Sequence, residues 1–232
     1  MISIIIPTFN EAEIIAETIR EIKNSDTESL ISEIIISDGK STDQTVSFAS
    51  NAGATVVVSP KKGRASQMNY GASIAKEEIF YFLHADSIPP NDFTKNIVDA
   101  LKKKFVSGCF RLAFDYNHWF LKANCWFTRF DVNAVRFGDQ SLFVTKKVFE
   151  KCGCFDESLL MMEDQEIIHR IKKHGKFKVM NGAVITSARK YLNNGIYRMQ
   201  AIFFRIWLLY YLGCSQDKLL KLHKKLIRKN KL

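Results

Sequence analysis

Four carboxylic acids stand where this sequence could do chemistry on a phosphorylated ligand. Glu11 and Asp38 end the first two apolar runs, Asp86 ends a third, and Asp164 opens a helical pattern. Each acid alone is typical of a helix cap or a turn. Because parallel strands present their carboxyl ends at one edge of an open sheet, we expect the first three to lie together. Mg²⁺ or Mn²⁺ would need only one or two carboxylates there. Asp86 is the best candidate, whereas Asp38 could instead accept hydrogen bonds from a nucleobase or ribose.

The elements that must position these acids alternate along the first 105 residues. Short β-branched runs are followed by helical patterns, the first of which places Ile15, Ile19 and Ile22 on one face. Asn10 is predicted to cap that helix, with Glu13 closing a capping box. Such alternation predicts an α/β fold with a mostly parallel sheet flanked by helices. The second half is less regular, with strands predicted at 106–114, 141–145 and 184–186 and helices at 119–131 and 163–174.

The charge of the chain calls for an anionic partner. A formal net charge of +10 arises from 34 basic and 24 acidic residues, and nucleic acid, an acidic membrane surface or a phosphorylated small molecule would suit it. Nucleic acid is not expected, because the basic residues lack the interleaved aromatics of single-strand binders. The five cysteines have neither disulfide nor zinc spacing, which indicates reduced thiols and a cytoplasmic protein.

Several nucleotide-binding classes do not fit the first strand end. A dinucleotide-binding oxidoreductase would need Gly-x-Gly-x-x-Gly where Pro7-Thr8-Phe9-Asn10 stands, and there is no P-loop sequence. A nucleotidyltransferase would carry a glycine-rich, basic loop at the same place. It remains an alternative, as does a basic membrane-binding or nucleic-acid-binding module with an inactive cleft.

Five ordered segments resemble family 2 glycosyltransferases of the GT-A fold, and the resemblance covers about residues 1–190. These segments are Pro7–Glu11, Ser37–Thr45, Lys62–Gly71, Phe82–Ser87 and Met162–Glu166. The wording at 62–71, 82–87, 138–140 and 186–190 is most similar to a bacterial subgroup called radical-SAM/selenodomain-associated transferase 2.

The resemblance implies an inverting, metal-dependent transfer from a nucleotide-diphosphate sugar. By the family's motifs, Asp164 would be the catalytic base and Asp86 the ligand of Mg²⁺ or Mn²⁺. The residues implied to bind the nucleotide sugar are Pro7, Thr8, Asn10, Glu11, Asp38, Arg64 and Asp86. Two positions depart from the family: His84 replaces the first acid of Asp-x-Asp, and Ser37-Asp38-Gly39-Lys40 replaces Asp-Asp-Gly-Ser. The chain has no Gln-x-x-Arg-Trp sequence, so a non-processive enzyme is expected.

We expect residues 1–190 to form the transferase domain and residues 191–232 a basic, amphipathic helical extension. Residues 201–214 are apolar but shorter than the roughly 20 residues that span a bilayer. They could pack on the domain or lie at a membrane interface through Trp207, Tyr210 and Tyr211. Seven cations and no acid follow from Lys218 onward, beside a leucine stripe at Leu219, Leu222 and Leu226. This pattern predicts a peripheral position on the inner face of an anionic membrane and allows a lipid-linked acceptor.

Overall fold

The computed structural model describes residues 1–133, 136 and 138–227. In this part of the chain a single sheet contains eight strands. They are β1 (Ile2–Thr8), β2 (Ile31–Asp38), β3 (Thr55–Val58), β4 (Ile79–Phe82), β5 (Ser87–Ile88), β6 (Phe105–Phe114), β7 (Leu142–Thr145) and β8 (Lys176–Thr186).

Helices lie between and after the strands. They are α1 (Ile15–Asn24), α2 (Thr45–Asn51), α3 (Arg64–Ile74), α4 (Phe93–Lys102), α5 (Trp119–Phe127), α6 (Lys146–Lys151), α7 (Glu163–Ile171), α8 (Arg189–Asn194), α9 (Ile196–Tyr211) and α10 (Gln216–Leu226). A short 3-10 turn covers Gly138–Gln140.

The strand order across the sheet is β3-β2-β1-β4-β7-β6-β8-β5. The first four are mutually parallel, β7 runs against both of its neighbours, β6 and β8 are parallel, and β5 runs against β8. The sheet is therefore mixed but mostly parallel and flanked by helices, as the alternating pattern predicted. This arrangement brings the carboxyl ends of β1, β2 and β4 to one edge, together with the amino ends of β5 and β7.

Alternating side chains of the central strands fill two apolar layers. On β1, Ile4 and Ile6 pack in one layer with Ile15 and Ile19 of α1, whereas Ile5 packs in the opposite layer under α3 and α7. This follows from the two-residue period of a strand, since successive side chains point to opposite faces. All of these isoleucines are fully buried, so the strand ends that carry the polar residues stand on a rigid base.

A third apolar cluster joins α5, α8, α9 and α10 beside the sheet. Its members include Leu121, Tyr191, Ile202 and Leu219, and Leu222 and Leu226 pack against it. The predicted leucine stripe of α10 therefore faces other helices instead of lipid, because its apolar side is the side that α9 covers. Within the described residues no helix combines the length and apolarity needed to cross a membrane. The predicted cations beyond residue 227 lie outside the described residues.

Two local predictions were wrong. Asn10 does not cap the first helix, because α1 begins at Ile15 and no side chain caps it. Asn10 instead has a left-handed backbone (φ 54°), and its side-chain oxygen accepts a hydrogen bond from the Thr42 N–H at 2.9 Å. The last strand is also much longer than the predicted 184–186, because its first half is partly exposed and carries lysines between apolar residues.

Candidate active site

The predicted acids that follow β1, β2 and β4 do meet at one edge of the sheet. Thr8 is paired in register with Asp38 across β1 and β2, and Gln67 of α3 reaches under both strand ends. The Gln67 amide donates to the backbone oxygens of Thr8 at 2.7 Å and Ser37 at 2.8 Å. A buried polar side chain thus satisfies strand-end carbonyls that would otherwise be left unpaired.

Asp38 is almost fully buried and shapes the loop that follows β2. Its carboxylate accepts hydrogen bonds from Thr8 Oγ1 at 3.1 Å, from the Ser41 N–H at 2.7 Å and from Ser41 Oγ at 2.5 Å. Ser41 Oγ in turn accepts from the Asn10 N–H at 2.8 Å. Asp38, Thr8 and Asn10 therefore form one network that fixes the loops after β1 and β2. Pro7, the penultimate residue of β1, is buried beneath it.

Glu11 and Asp86 converge on a residue that the sequence analysis did not assign, Arg189 at the start of α8. Arg189 Nη2 lies 2.9 and 2.8 Å from the two Glu11 carboxylate oxygens and 3.2 Å from Asp86 Oδ2. Burial acts to lower the pKa of Arg189, but Glu11 and Asp86 outweigh it and raise the pKa above its usual value. One guanidinium therefore lies between the two carboxylates.

Arg64, at the start of α3, joins this group to Asp164. Arg64 Nε lies 3.0 Å from Oε1 of Glu163, whose side chain is 1% exposed. The pKa of Arg64 is raised chiefly by Glu163, against burial, and further by Asp164, Asp139 and Asp86. Asp164 lines a cavity with His84 and Ser141. The structure thus gathers Arg64, Asp86 and Asp164 around one cleft, on elements that are far apart in sequence.

His84, which replaces the first acid of the family motif, is paired with another carboxylate. His84 Nδ1 lies 3.3 Å from Asp139 Oδ1. Burial acts to raise the pKa of Asp139, but the positive charges of His84, Lys190 and Arg64 prevail and hold it below its usual value. Asp139 thus restores an acid beside position 84, contributed by the turn before β7.

The donor atoms of the cleft fit a divalent cation of the Mg²⁺ type. Within the described residues no group of three His, Cys, Asp or Glu side chains forms a ready metal cage. Glu11 and Asp86, however, supply carboxylate oxygens to one shared point, and Mg²⁺ commonly takes one or two carboxylates together with water and substrate phosphates. Asp86 is thus suited to the predicted ligand role, and Glu11 is a second oxygen donor.

Three charged residues of the cleft escaped the sequence analysis: Arg189, Asp139 and Glu163. Arg189 meets Glu11 across 178 residues of sequence, so no local pattern indicates the contact. The available signal was the wording at 138–140 and 186–190, where Asp139 and Arg189 stand, but no role was attached to it.

Comparison with known proteins supplies the family. Residues 3–155 match the family model described as "Glycosyl transferase family 2". The chain is 33% identical over 106 residues to an uncharacterized glycosyltransferase of Rickettsia felis, covering 46% of this chain and 34% of that protein. It is 31% identical over 109 residues to a Methanococcus voltae enzyme, covering 44% and 34%. That enzyme is named dolichyl N-acetyl-alpha-D-glucosaminyl phosphate 3-beta-D-2,3-diacetamido-2,3-dideoxy-beta-D-glucuronosyltransferase. The chain spans about a third of the length of these relatives.

Solved structures show the same fold at low identity. The mannosyltransferase PcManGT from Pyrobaculum calidifontis, in complex with GDP-Man and Mn²⁺, aligns with a TM-score of 0.69 at 17% identity, covering 89% of this chain and 61% of that one. TarS 1-349 of S. aureus in complex with UDP aligns with a TM-score of 0.66 at 15% identity, covering 80% and 60%. At these identities the likeness shows the fold, which is α/β and GT-A-like with C-terminal helices.

Proposed function

Because the chain belongs to glycosyl transferase family 2, we propose that it transfers a sugar from a nucleotide-diphosphate sugar to an acceptor hydroxyl, with inversion and without processivity. The observation that carries the proposal is the convergence of Glu11, Asp86 and Arg189 with Arg64 and Asp164 around one cleft at the carboxyl edge of the sheet. Ligands of open α/β sheets bind at this edge. Membership of the family favours this function over nucleotidyl transfer.

In this proposal the nucleoside lies on the loops after β1 and β2, and the diphosphate lies toward Arg64 and Asp86. Pro7, Thr8, Asn10 and Asp38 shape the nucleoside end, since their hydrogen bonds fix both loops. Arg64 supplies a positive charge whose pKa is raised further by its acidic neighbours, so it stays charged at any physiological pH. A guanidinium held in this way binds phosphate oxygens well.

Asp164 is proposed as the general base. It takes the proton of the acceptor hydroxyl as that oxygen forms a bond to the anomeric carbon, while the bond from the anomeric carbon to the diphosphate oxygen breaks. Asp164 stands on α7 next to Glu163, whose contact with Arg64 fixes the start of that helix over the cleft. The cavity that Asp164 shares with His84 and Ser141 lies beside the segment that carries Asp86.

Asp86, with Glu11, is proposed to hold Mg²⁺ or Mn²⁺, as the donor set allows. When bound, such a cation stabilises negative charge on the departing diphosphate. The PcManGT complex contains both a nucleotide sugar and Mn²⁺, which supports a divalent cation for this chain as a proposal. Arg189, which lies between the same two carboxylates, has to move away when the cation enters.

The acceptor is proposed to be a lipid-linked phosphate sugar or a related lipid-linked hydroxyl. The name of the Methanococcus voltae relative describes a dolichyl-phosphate-linked acceptor. We also propose membership of the radical-SAM/selenodomain-associated transferase 2 subgroup. Support comes from the segments most similar to it, which carry His84, Asp139 and Arg189, three residues that meet other charges in the cleft.

Ligand-dependent thermal stability tests the donor part of this proposal. Binding to the folded state alone raises the unfolding temperature, so a panel of UDP- and GDP-sugars with and without Mn²⁺ should identify the donor. Release of the nucleoside diphosphate, measured on the same panel, then reports turnover. A folded protein that responds to no nucleotide sugar under either condition would indicate the inactive binding module instead.

A further inference from the structure

Exposed apolar side chains are concentrated on two neighbouring helices. Twelve of the sixteen large hydrophobic residues that are exposed in the described part of the chain lie in 116–132 or 192–212. We define the α5–α9 face by its exposed aromatic residues Trp119, Trp126, Phe127, Tyr197, Phe204 and Tyr211. Large contiguous patches of this kind on a soluble domain mark interaction sites.

The spacing shows that this face is a second apolar side of each helix. On α9, Tyr197, Phe204 and Tyr211 recur every seven residues, whereas Met199 and Ile202 are buried on the opposite side. Residues seven apart lie two helical turns apart on the same side. The helix is therefore apolar both toward the core and toward solvent.

The two helices form one continuous surface because they pack side by side. The Tyr197 ring lies 4.9 Å from the ring of Phe120 and 6.5 Å from that of Trp119. One turn further along both helices, Asn124 Nδ2 donates to Gln200 Oε1 at 3.2 Å. The aromatic residues of α5 and α9 thus border each other along the length of both helices.

Positive charge accompanies the aromatic residues, and negative charge is absent from both helices. Lys122, Arg129 and Arg205 are exposed, and the guanidinium of Arg129 lies 4.6 Å from the Trp126 ring centroid. The sequence has no Asp or Glu from 116 to 130 or from 192 to 216. The partner of this face must therefore be apolar and anionic at once.

We propose that the α5–α9 face binds the surface of a lipid bilayer with anionic headgroups. Trp and Tyr side chains favour the headgroup boundary, where an apolar ring and a polar edge are both accommodated. Arg and Lys beside them contact the lipid phosphates. The membrane contact thus moves from the α10 leucines, which face α9, to the outer sides of α5 and α9.

This orientation also relates the bilayer to the cleft, a step that rests on the proposed function. At its amino end α9 follows α8, which begins with Arg189. At its carboxyl end, the Tyr211 hydroxyl donates to Gln165 Oε1 at 3.1 Å, and Gln165 is the residue after Asp164. A lipid-linked acceptor resting on this face would therefore be presented beside the proposed base.

Vesicle binding tests the proposal on the full chain. Co-sedimentation is measured with phosphatidylcholine vesicles and with vesicles that also contain phosphatidylglycerol. All three tryptophans, at 119, 126 and 207, lie on α5 or α9, so quenching of their fluorescence by brominated acyl chains reports insertion of this face. We expect binding and quenching with the anionic vesicles only.

Two double variants and two matched controls locate the contact. Trp126→Ser with Phe204→Ser should weaken binding about tenfold or more through lost apolar burial. Arg129→Gln with Arg205→Gln should weaken it about fivefold per charge, or about 25-fold together. The controls are Phe48→Ser on α2 for apolarity and Lys147→Gln with Lys151→Gln on α6 for charge, all exposed positions. Both should bind as the unaltered chain does.

Nucleoside diphosphate binding, read in the same preparations, separates this proposal from the proposed function, because none of the variants touches the cleft. Absence of binding to anionic vesicles at low salt would overturn the proposal. So would equal binding by both double variants. Concentration-dependent self-association that the double variants abolish, without vesicle binding, would overturn it too and assign the face to a second copy of the chain.

Discussion

Replacing Arg189 by Gln should make the protein bind Mn²⁺ more tightly. The Arg189 guanidinium contacts Glu11 at 2.8 and 2.9 Å and Asp86 at 3.2 Å, so a cation held by these carboxylates must displace it. A hydrogen bond to a charged group contributes about 1.5–3 kcal/mol. Arg189 is 27% exposed, so we take the lower half of the sum over its two partners, about 1.5–3 kcal/mol. Since about 1.4 kcal/mol is a factor of ten, Mn²⁺ affinity should rise about 10- to 100-fold.

The assay is Mn²⁺ binding to the protein without nucleotide, followed by electron paramagnetic resonance of the free ion. Arg198→Gln is the matched control, because the Arg198 guanidinium donates to the Leu226 backbone oxygen at 2.7 Å and contacts neither carboxylate. Its Mn²⁺ affinity should equal that of the unaltered chain. Unchanged or weaker Mn²⁺ binding by Arg189→Gln would show that the cation and the guanidinium do not compete for Glu11 and Asp86.

Three further predictions concern the acids of the cleft. Asp164→Asn should keep donor binding, seen by calorimetry, and lose about 10²–10⁴-fold in kcat, because it removes the proposed base; near-normal turnover would contradict that role. Asp86→Ala should abolish the increase in nucleoside diphosphate affinity that Mn²⁺ causes, and an undiminished increase would place the cation elsewhere. Burial raises the pKa of Glu163 to about 7, so its contribution to stability is full below the ordinary value of 4.5 and is lost as pH rises through about 7. Glu163→Gln should therefore reduce the fall in the urea unfolding midpoint between about pH 5 and about pH 8, and an unaltered fall would refute this cause.

The sequence predicted the sheet best where the chain alternates strand and helix. The buried isoleucines of β1 and α1 show a period of two and a helical spacing respectively, and both survive in the structure. The second half was harder because its strands pair over long distances and are partly exposed. β7 inserts between β4 and β6 against their direction, and the four residues of this strand carry no signal of orientation.

Prediction of the cleft followed the same division. Glu11, Asp38 and Asp86 could be grouped from sequence, because parallel strand ends must share an edge. The bonds that each acid makes could not, since they depend on side chains brought in from distant segments. Asp38 illustrates this: its carboxylate is occupied by Thr8 and Ser41, so its first role is to shape the loop on which the nucleoside is proposed to lie.

The charges in the cleft explain why a cation and a nucleotide should bind together. The acids gathered there outnumber the fixed cations: Glu11, Asp86, Asp139, Glu163 and Asp164 against Arg64, Arg189 and Lys190. A diphosphate entering this cleft alone would meet an excess of negative charge, which disfavours its binding. A divalent cation between Glu11 and Asp86 reverses that balance and frees Arg189 from both carboxylates. The released guanidinium can then pair with a phosphate, so nucleoside diphosphate affinity should depend on Mn²⁺ and on Arg189 together.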